Sequence, residues 1–424
     1  MTAPNGNHTV VFNSSVLFGE QQQLADSPPI TLLYPNDGTL PDPLVGAINP
    51  SNDAIITSVE AHDLQSITQF MGPLMAPRFA NYQDDIVLLL LHDKRNLDSM
   101  DPSVLEFLLQ HGKVSNANIV VYAFEWECWD RDKEGIPGRD HPPNVSTICH
   151  VPQSIYEQQN DGRSPRGMDI LLIELAGVVL NQYDSGSRSL IIDPSSIGNG
   201  VLFQSNPFDN MPQYGEELHL FEKAPSLSIG TDEVTATRLK SAYGEAVFTK
   251  EFTSQPVISS AIVMGHKAAM IRYIGIMISQ YDAIQCQISA CNIAYMNALY
   301  YSGTFHNNIL NVLTFPQGMG VGNDLSGYDN HLSLSKLGIL KYDTIFSRQH
   351  RWIVYQNDGV TPSPIVYPIG QNEELKEMAQ MQSLEYLNEW NEYLNSTFGI
   401  HCEELRGTLR GRVLNCPEGN DVRS

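Results

Sequence analysis

The residues best suited to chemistry are two acidic side chains two positions apart, Glu125 and Glu127, followed by Asp130 and Asp132. Successive side chains of a β-strand point to opposite faces, so Glu125 and Glu127 would share one face. Two neighbouring carboxylates can hold a hard cation or act as general acid and general base. The pattern therefore indicates a candidate site directly after residues 119–124, which form a β-rich run.

A histidine could complete such a site. His92 ends the neighbouring apolar run and would lie beside the two glutamates if both runs pair as parallel strands, and His141 or His150 could reach from the following loop. These residues define one alternative, an intracellular metal-assisted hydrolase using Glu125, Glu127 and His92. The opposing interpretation is that charged residues at a sheet rim face solvent and pair with nearby basic side chains. We favour the second interpretation and predict no catalytic residue, metal ligand or cofactor.

Other sequence motifs of catalysis are missing. The sequence has no Gly-x-Ser-x-Gly and no phosphate-binding loop, and the glycine cluster at residues 318–322 lacks the third spaced glycine of a dinucleotide site. Cys286 and Cys291 lie five positions apart with no histidine at ligand spacing, which disfavours zinc. Six cysteines in 424 residues are too sparse for a disulfide framework, so we expect free buried thiols.

The charge of the chain argues against nucleic acid as a ligand. There are 25 Lys and Arg against 48 Asp and Glu, for a formal net charge of −23, and the first basic residue is Arg78. Such a chain repels phosphate backbones. No apolar run approaches the ~20 residues needed to span a bilayer, and no secretion signal is recognisable. We therefore expect an intracellular protein with no sequence-specific nucleic-acid partner and no membrane partner.

Composition divides the chain into three segments. Residues 1–60 are rich in Pro, Asn, Asp, Ser and Gly and predict an extended N-terminal arm. Residues 61–215 predict an α+β domain with a long surface loop at 130–167, and residues 216–424 predict a helix-rich domain. The predicted fold class is α+β and mixed, β-rich in its N-terminal and middle part and helix-rich in its C-terminal part.

Periodicity adds detail to this division. Residues 86–91 and 119–124 predict two strands, and the Asp101-Pro102 pair predicts the start of a helix between them. Residues 168–180 are apolar throughout and fit either a buried helix or a buried strand. Apolar residues at three- and four-residue intervals predict a long amphipathic C-terminal helix over residues 372–398.

The most unusual segment has no charged side chain between Asp282 and Asp324. Its many amide side chains exclude a membrane span, because each would need a partner in hydrocarbon. A buried core or a subunit interface remains. The apolar and aromatic residues that we assign to a candidate interface are Ile284, Ile288, Ile293, Tyr295, Met296, Leu299, Tyr300, Leu310 and Phe315.

Three features define the overall profile of the chain: few Lys residues, the arm at residues 1–60 and the charge-free residues 283–323. This profile resembles that of structural proteins of icosahedral double-stranded RNA viruses. Coat proteins of the partitivirus type and the clamp proteins of turreted reovirus cores are the relevant families. The resemblance implies a non-enzymatic capsid or cementing subunit that self-assembles through protein–protein contacts. Its partners would be other capsid subunits, either copies of itself or a larger shell protein. Its location would be the virion, and the host cytoplasm during assembly.

Overall fold

The computed structural model describes residues 40, 42–60, 64–75, 80–93, 104, 107–109, 117–130, 147–150, 168–193, 200–284, 286, 291–328, 333–343, 351–370 and 372–382. Helices and mixed sheets occur together in this part of the chain. The α+β prediction is therefore confirmed.

One eight-stranded sheet organises the molecule. Its strands are β1 (Ala54–Glu60), β2 (Asp85–Asp93), β3 (Asn118–Asp130), β4 (Thr147–His150), β5 (Arg188–Ile192), β7 (Glu217–Phe221), β8 (Ile262–His266) and β9 (Asn311–Phe315). Their order across the sheet is β4-β3-β2-β1-β5-β8-β7-β9. Strands β3, β2, β1 and β5 run parallel, β8 runs antiparallel to both β5 and β7, and β9 is parallel to β7. Strands β1, β2, β3, β5, β7 and β9 therefore end at the same edge of the sheet, which we call the carboxyl edge.

Helices connect these strands. They are α1 (Leu64–Met75), α2 (Met168–Leu180), α3 (Glu233–Tyr243), α4 (Lys250–Thr253), α5 (Lys267–Ile284), α6 (Asn292–Tyr301) and α7 (Thr304–Asn308), with a 3-10 turn at Glu245–Val247. Residues 373–382 are also helical. Among the described residues no helix is long and apolar enough to cross a membrane.

The sheet is buried on both faces. In β2 the residues Val87 and Leu89 point to one face and Ile86, Leu88 and Leu90 to the other, and all five are fully buried. A parallel strand covered on both faces needs this uninterrupted apolar sequence. We call the side that packs on α2, α5 and α6 the α5 face. The opposite side packs on α1 and on the strands of a smaller sheet.

A buried carboxylate anchors the opposite edge, where the parallel strands begin. Asp85, the fully buried first residue of β2, accepts four hydrogen bonds. The donors are Asn49 N at 2.9 Å, Asn52 Nδ2 at 2.7 Å, Asn118 Nδ2 at 2.8 Å and the Tyr183 hydroxyl at 2.8 Å. Because the donors come from the loops before β1 and β5 and from the first residue of β3, Asp85 holds the starts of the parallel strands together.

An ion pair lies at the same edge of the sheet. Arg188, at the start of β5, donates from Nε to both carboxylate oxygens of Asp53 at 3.1 and 3.0 Å and from NH2 to Oδ2 at 2.5 Å. Its NH1 donates to the carbonyls of Phe208 and Met211 at 2.9 and 2.5 Å. The guanidinium thereby connects the residue before β1 to the chain segment after β5.

Two smaller sheets complete the described C-terminal part. One contains β10 (Gly322–Asp324), β13 (Ile365–Tyr367) and β6 (Leu202–Phe203), and the other pairs β11 (Leu340–Asp343) with β12 (Arg351–Val354). Buried amide side chains join them, since Gln204 donates to the carbonyls of Val354 at 2.8 Å and Ser363 at 2.7 Å.

Several detailed predictions can be compared with these elements. Residues 86–91 and 119–124 form strands as predicted, and residues 168–180 form helix α2. The segment predicted as an arm contains β1 at residues 54–60, in the middle of the sheet, while residues 1–39 lie outside the described part. Of the helix predicted over 372–398, residues 373–382 are described and helical.

The division of the chain into domains remains a prediction. The large sheet takes strands from both sides of the predicted boundary between residues 215 and 216. The predicted surface loop at 130–167 contains strand β4, which pairs antiparallel with the end of β3, and residues 131–146 and 151–167 lie outside the described part. Glycines 318 and 320 of the glycine cluster have left-handed φ angles of 72° and 75°, which fits a turn.

Much of the described charge-free segment packs into the chain's own core. Ile293, Tyr295, Met296 and Leu299 are at most 5% exposed and pack against other helices of the same chain. The remaining candidate interface residues divide into three groups. Ile284, Tyr300 and Phe315 are partly buried against the core, Leu310 is 79% exposed, and Ile288 lies outside the described residues.

Candidate functional site

The sheet has a topological switch point between β1 and β5. From β1 the chain moves to β2 and β3 on one side, and later returns to place β5 on the other side of β1. In such parallel sheets the connections leave a crevice beyond the carboxyl ends of the two strands, and ligands bind there. The residues that follow β1 and β5 are therefore the first candidates for a functional site.

An acidic residue, Asp193, stands directly after β5 at this point. In the β1–β5 register Thr57 pairs with Ile192, so the next pair along the two strands is Ser58 and Asp193. The backbone N–H of Asp193 donates to the carbonyl of Ala261 at 2.9 Å, which holds this residue in line with the sheet. Strand alternation turns both Ser58 and Asp193 toward the α5 face, as it does Ile56 and Ile191.

The first residue of α6 orients this carboxylate. Asn292 is 3% exposed, and its Nδ2 donates to Asp193 Oδ2 at 2.7 Å. Burial raises the pKa of the phenol of Tyr273 in α5, and the charge of Asp193 raises it further, so Tyr273 also lies near Asp193. Asp193 itself is only partly buried. The arrangement is a fixed, water-accessible carboxylate with an amide donor at its side.

Ser58 contributes a buried hydroxyl. The residue is 1% exposed, and its Oγ has no hydrogen-bond partner in the described part of the chain. A buried polar atom left unpaired costs about 1–3 kcal/mol. Ser189, which pairs with Ala54 at the opposite end of the same two strands, has the same property. Of the two serines, Ser58 is the one at the switch point.

Helix α6 is attached along the carboxyl edge at further points. The amide of Asn297 binds the backbone of Ile258 twice, accepting from its N–H at 2.9 Å and donating to its carbonyl at 2.9 Å. The Tyr301 hydroxyl donates to the carbonyl of Pro256 at 2.6 Å. The asparagines and tyrosine of the charge-free segment therefore serve internal hydrogen bonds that position the helix beside Asp193.

A second acidic residue, Glu222, follows β7 at the same edge. The backbone of Glu222 forms an isolated β-bridge with Ile258, whereas the backbone N–H of Asp193 donates to the carbonyl of Ala261. The segment that leads into β8 therefore lies between the ends of β5 and β7. Burial raises the pKa of the Glu222 carboxyl. The phenol of Tyr300 lies near it and accepts a hydrogen bond from Thr314 Oγ1 at 2.9 Å.

The residues proposed from the sequence lie at a different part of this edge. The backbone register pairs His92 with Glu125 in parallel strands, as expected, and pairs Glu127 with His150. His141 lies outside the described residues. Within the described part of the chain, no group of three or more His, Cys, Asp or Glu is arranged to hold a metal ion.

The expectation of free thiols is wrong for one pair. The sulfurs of Cys286 and Cys291 are bonded to each other. Helix α5 ends at Ile284 and α6 begins at Asn292, so both cysteines lie outside these two helices.

Comparisons with known proteins give distant likenesses. No protein-family model and no curated protein matches the chain. The solved structure of WbbM, a bifunctional glycosyltransferase, matches over 80% of this chain and 53% of that chain, with 11% identity and a TM-score of 0.40. The glycosyltransferase GlyE of Streptococcus pneumoniae matches over 80% of this chain and 63% of that chain, with 10% identity and a TM-score of 0.35. The chain thus spans about half to two thirds of the length of these structures.

These findings overturn the functional expectation from the sequence. Both of these structures are named as glycosyltransferases, which are enzymes, and neither is named as a capsid protein. The expectations of a capsid or cementing subunit, of a metal-assisted hydrolase and of a chain without enzymatic activity are therefore wrong. The capsid expectation depended on residues 283–323 needing a neighbouring subunit, and the chain's own helices cover most of the described apolar side chains of that segment. A likeness of this size carries neither a reaction nor a substrate to this chain.

Sequence reasoning missed Ser58, Asp193, Asn292 and Glu222. The available signal was local, because Asp193 and Glu222 each follow directly on a short apolar run of the sequence, which the structure shows to be a strand. Nothing in the sequence shows that these two runs end at one edge, which depends on the strand order.

Proposed function

We propose that this chain is an enzyme that binds a nucleoside diphosphate derivative at the carboxyl edge between β1 and β5 and transfers a group from it to a second substrate. The observation that carries the proposal is the position of Asp193, an oriented and partly exposed carboxylate at the switch point of the sheet. Parallel strands in the order β3-β2-β1, with a further parallel strand beyond β1, provide the crevice in which nucleotides bind to such sheets.

The charges at the site favour a cation between protein and ligand. A carboxylate repels phosphate, so Asp193 can bind a diphosphate only through a cation that lies between the two. Mg²⁺ commonly binds through one or two carboxylates together with substrate phosphates and water, without a complete cage of protein ligands. A single oriented carboxylate fits that mode of binding. The buried hydroxyl of Ser58, in the same row as Asp193, would then donate to the ligand.

Calorimetric titration tests the proposal. The ligands are nucleoside diphosphates and their sugar conjugates, each with and without Mg²⁺; sugar conjugates are included because both similar structures are named as glycosyltransferases. We expect Mg²⁺-dependent binding that weakens about 10–100-fold in Asp193→Asn, which corresponds to losing one contact of about 1.5–3 kcal/mol with a charged group.

Two control variants accompany these measurements. Asp209→Asn changes the same residue type at an exposed position and should bind like the wild-type chain. Ser58→Ala should weaken binding, while Ser189→Ala, on the same face but at the opposite end of the strands, should not. Binding that is equally tight in Asp193→Asn and the wild-type chain would refute the proposed site, and so would the lack of binding of every ligand tested.

A further inference from the structure

The end of β7 places a second carboxylate on the same edge as Asp193. Strands β5 and β7 are both antiparallel to β8, so Asp193 and Glu222 follow the ends of two strands that point in the same direction. One strand lies between them, and strands are spaced about 4.8 Å apart, so their backbones are about 10 Å apart. A diphosphate at Asp193 with its attached group directed along the edge would reach Glu222.

Glu222 differs from the structural carboxylates of the chain. Asp85 and Asp53 are saturated by donors at the opposite edge, and Asp232 binds Lys223 Nζ at 2.7 Å. Glu222 is half-buried, and no side chain in the described part of the chain forms a hydrogen bond or an ion pair with its carboxylate. The cation next to it in sequence, Lys223, is the one bound to Asp232.

Two tyrosines lie close enough to Glu222 for its charge to act on their hydroxyl groups. The pKa of Tyr300 is raised by burial and further by the charge of Glu222, and the pKa of Tyr301 is raised by burial, then by Tyr300 and then by Glu222. Both tyrosines end α6, the helix that begins at Asn292 beside Asp193. Because the two ends of one helix lie near the two carboxylates, the fold sets their separation.

We propose that Glu222 accepts the proton from a hydroxyl group of the second substrate. This inference rests on the proposed function. The hydroxyl oxygen forms a bond to the transferred group while the bond from that group to the terminal phosphate oxygen breaks. The electron pair of the broken bond leaves with the nucleoside diphosphate, and the hydroxyl proton passes to a carboxylate oxygen of Glu222.

The protonation behaviour of Glu222 agrees with this role. A general base is most effective when its pKa lies near the working pH, and burial moves the pKa of Glu222 upward from the usual range of a glutamate. The second substrate class is accordingly a hydroxyl compound, since a hydroxyl must lose its proton as its oxygen forms the new bond.

The test compares Glu222→Gln with Glu245→Gln in the full chain. The group donor in the assay is the nucleoside diphosphate derivative that calorimetry shows to bind. Glu245 is an exposed glutamate that pairs only with the exposed Lys240 in the described part of the chain. General-base catalysis contributes about 10²–10⁴-fold, so turnover should fall at least ~100-fold in Glu222→Gln while donor affinity stays within about twofold of wild type. The acid limb of the pH–rate profile should vanish with it. Glu245→Gln should change neither.

Folding and the dependence on the donor site are controlled separately. Glu222→Asp, which keeps the carboxylate, should retain more activity than Glu222→Gln, and thermal melting verifies that each variant is folded. Turnover of Glu222→Gln within about threefold of wild type, with donor binding intact, overturns the role of Glu222 and leaves the donor site standing. A wild-type chain that binds none of the donors overturns the proposed function and this inference together.

Discussion

Removing the hydroxyl of Tyr183 measures how strongly the Asp85 cluster holds the sheet together. Tyr183 is 3% exposed, and its hydroxyl donates to Asp85 Oδ2 at 2.8 Å. The bond is to a buried carboxylate, and such bonds are worth about 1.5–3 kcal/mol. Tyr183→Phe keeps the ring and its packing. We expect it to lower the free energy of unfolding by about 2 kcal/mol, a large share of the ~5–15 kcal/mol typical of a folded protein.

Equilibrium unfolding in urea provides the measurement. Tyr214→Phe is the control, because Tyr214 is 80% exposed and its loss of a hydroxyl should change the free energy of unfolding by less than about 0.5 kcal/mol. Asp85→Asn should cost more than Tyr183→Phe, since it removes the charge that four donors share.

A double-mutant cycle connects the two changes. If Tyr183 acts through Asp85, the combined variant should cost less than the sum of the single variants by about 1 kcal/mol or more. The reasoning is refuted if Tyr183→Phe is no more destabilising than Tyr214→Phe. It is also refuted if the costs of Tyr183→Phe and Asp85→Asn are strictly additive, because the two groups would then be independent.

Two further predictions concern other parts of the fold. Burial, with the charges of Asp53 and Asp85, raises the pKa of Asp84 to about 6; the folded chain therefore binds this proton more tightly than the unfolded chain, and the stabilisation present below about pH 4 is lost as the pH rises through 6. Urea titrations at several pH values should show that Asp84→Asn lacks this decrease, and parallel pH dependences of the two proteins would contradict it. Asn297→Ala removes both hydrogen bonds to the buried backbone of Ile258 and should cost about 2–4 kcal/mol in thermal or urea unfolding, whereas Asn210→Ala, at an exposed position, should cost less than about 0.5 kcal/mol. A cost for Asn297→Ala no greater than that of Asn210→Ala would show that the two Asn297–Ile258 hydrogen bonds do not stabilise the fold.

Local sequence was sufficient for many secondary-structure elements. The uninterrupted apolar run of β2 determines a strand buried on both faces, because only a fully covered strand avoids exposing such a sequence to water. The neutral composition of residues 283–323 likewise predicted burial, which the structure shows for most of the described apolar side chains of that segment. It did not determine what shields it, since burial inside the chain and burial between subunits require the same side chains.

The candidate site depended on tertiary structure. The residues of the site are far apart in the sequence. More than a hundred positions separate Ser58 from Asp193, and 99 separate Asp193 from Asn292. Strand order and the placement of α6 bring them together. Residues 54–60 belong to the segment 1–60, whose overall composition predicts a loop-rich arm, yet they form β1 between β2 and β5, because pairing on both sides satisfies the backbone and buries Ile55 and Ile56. The sequence by itself determined which segments avoid water and the strongly acidic charge. Only the tertiary structure decided which strand ends share an edge, because hydrogen-bond pairing between distant strands leaves no periodic trace in the residues that it joins.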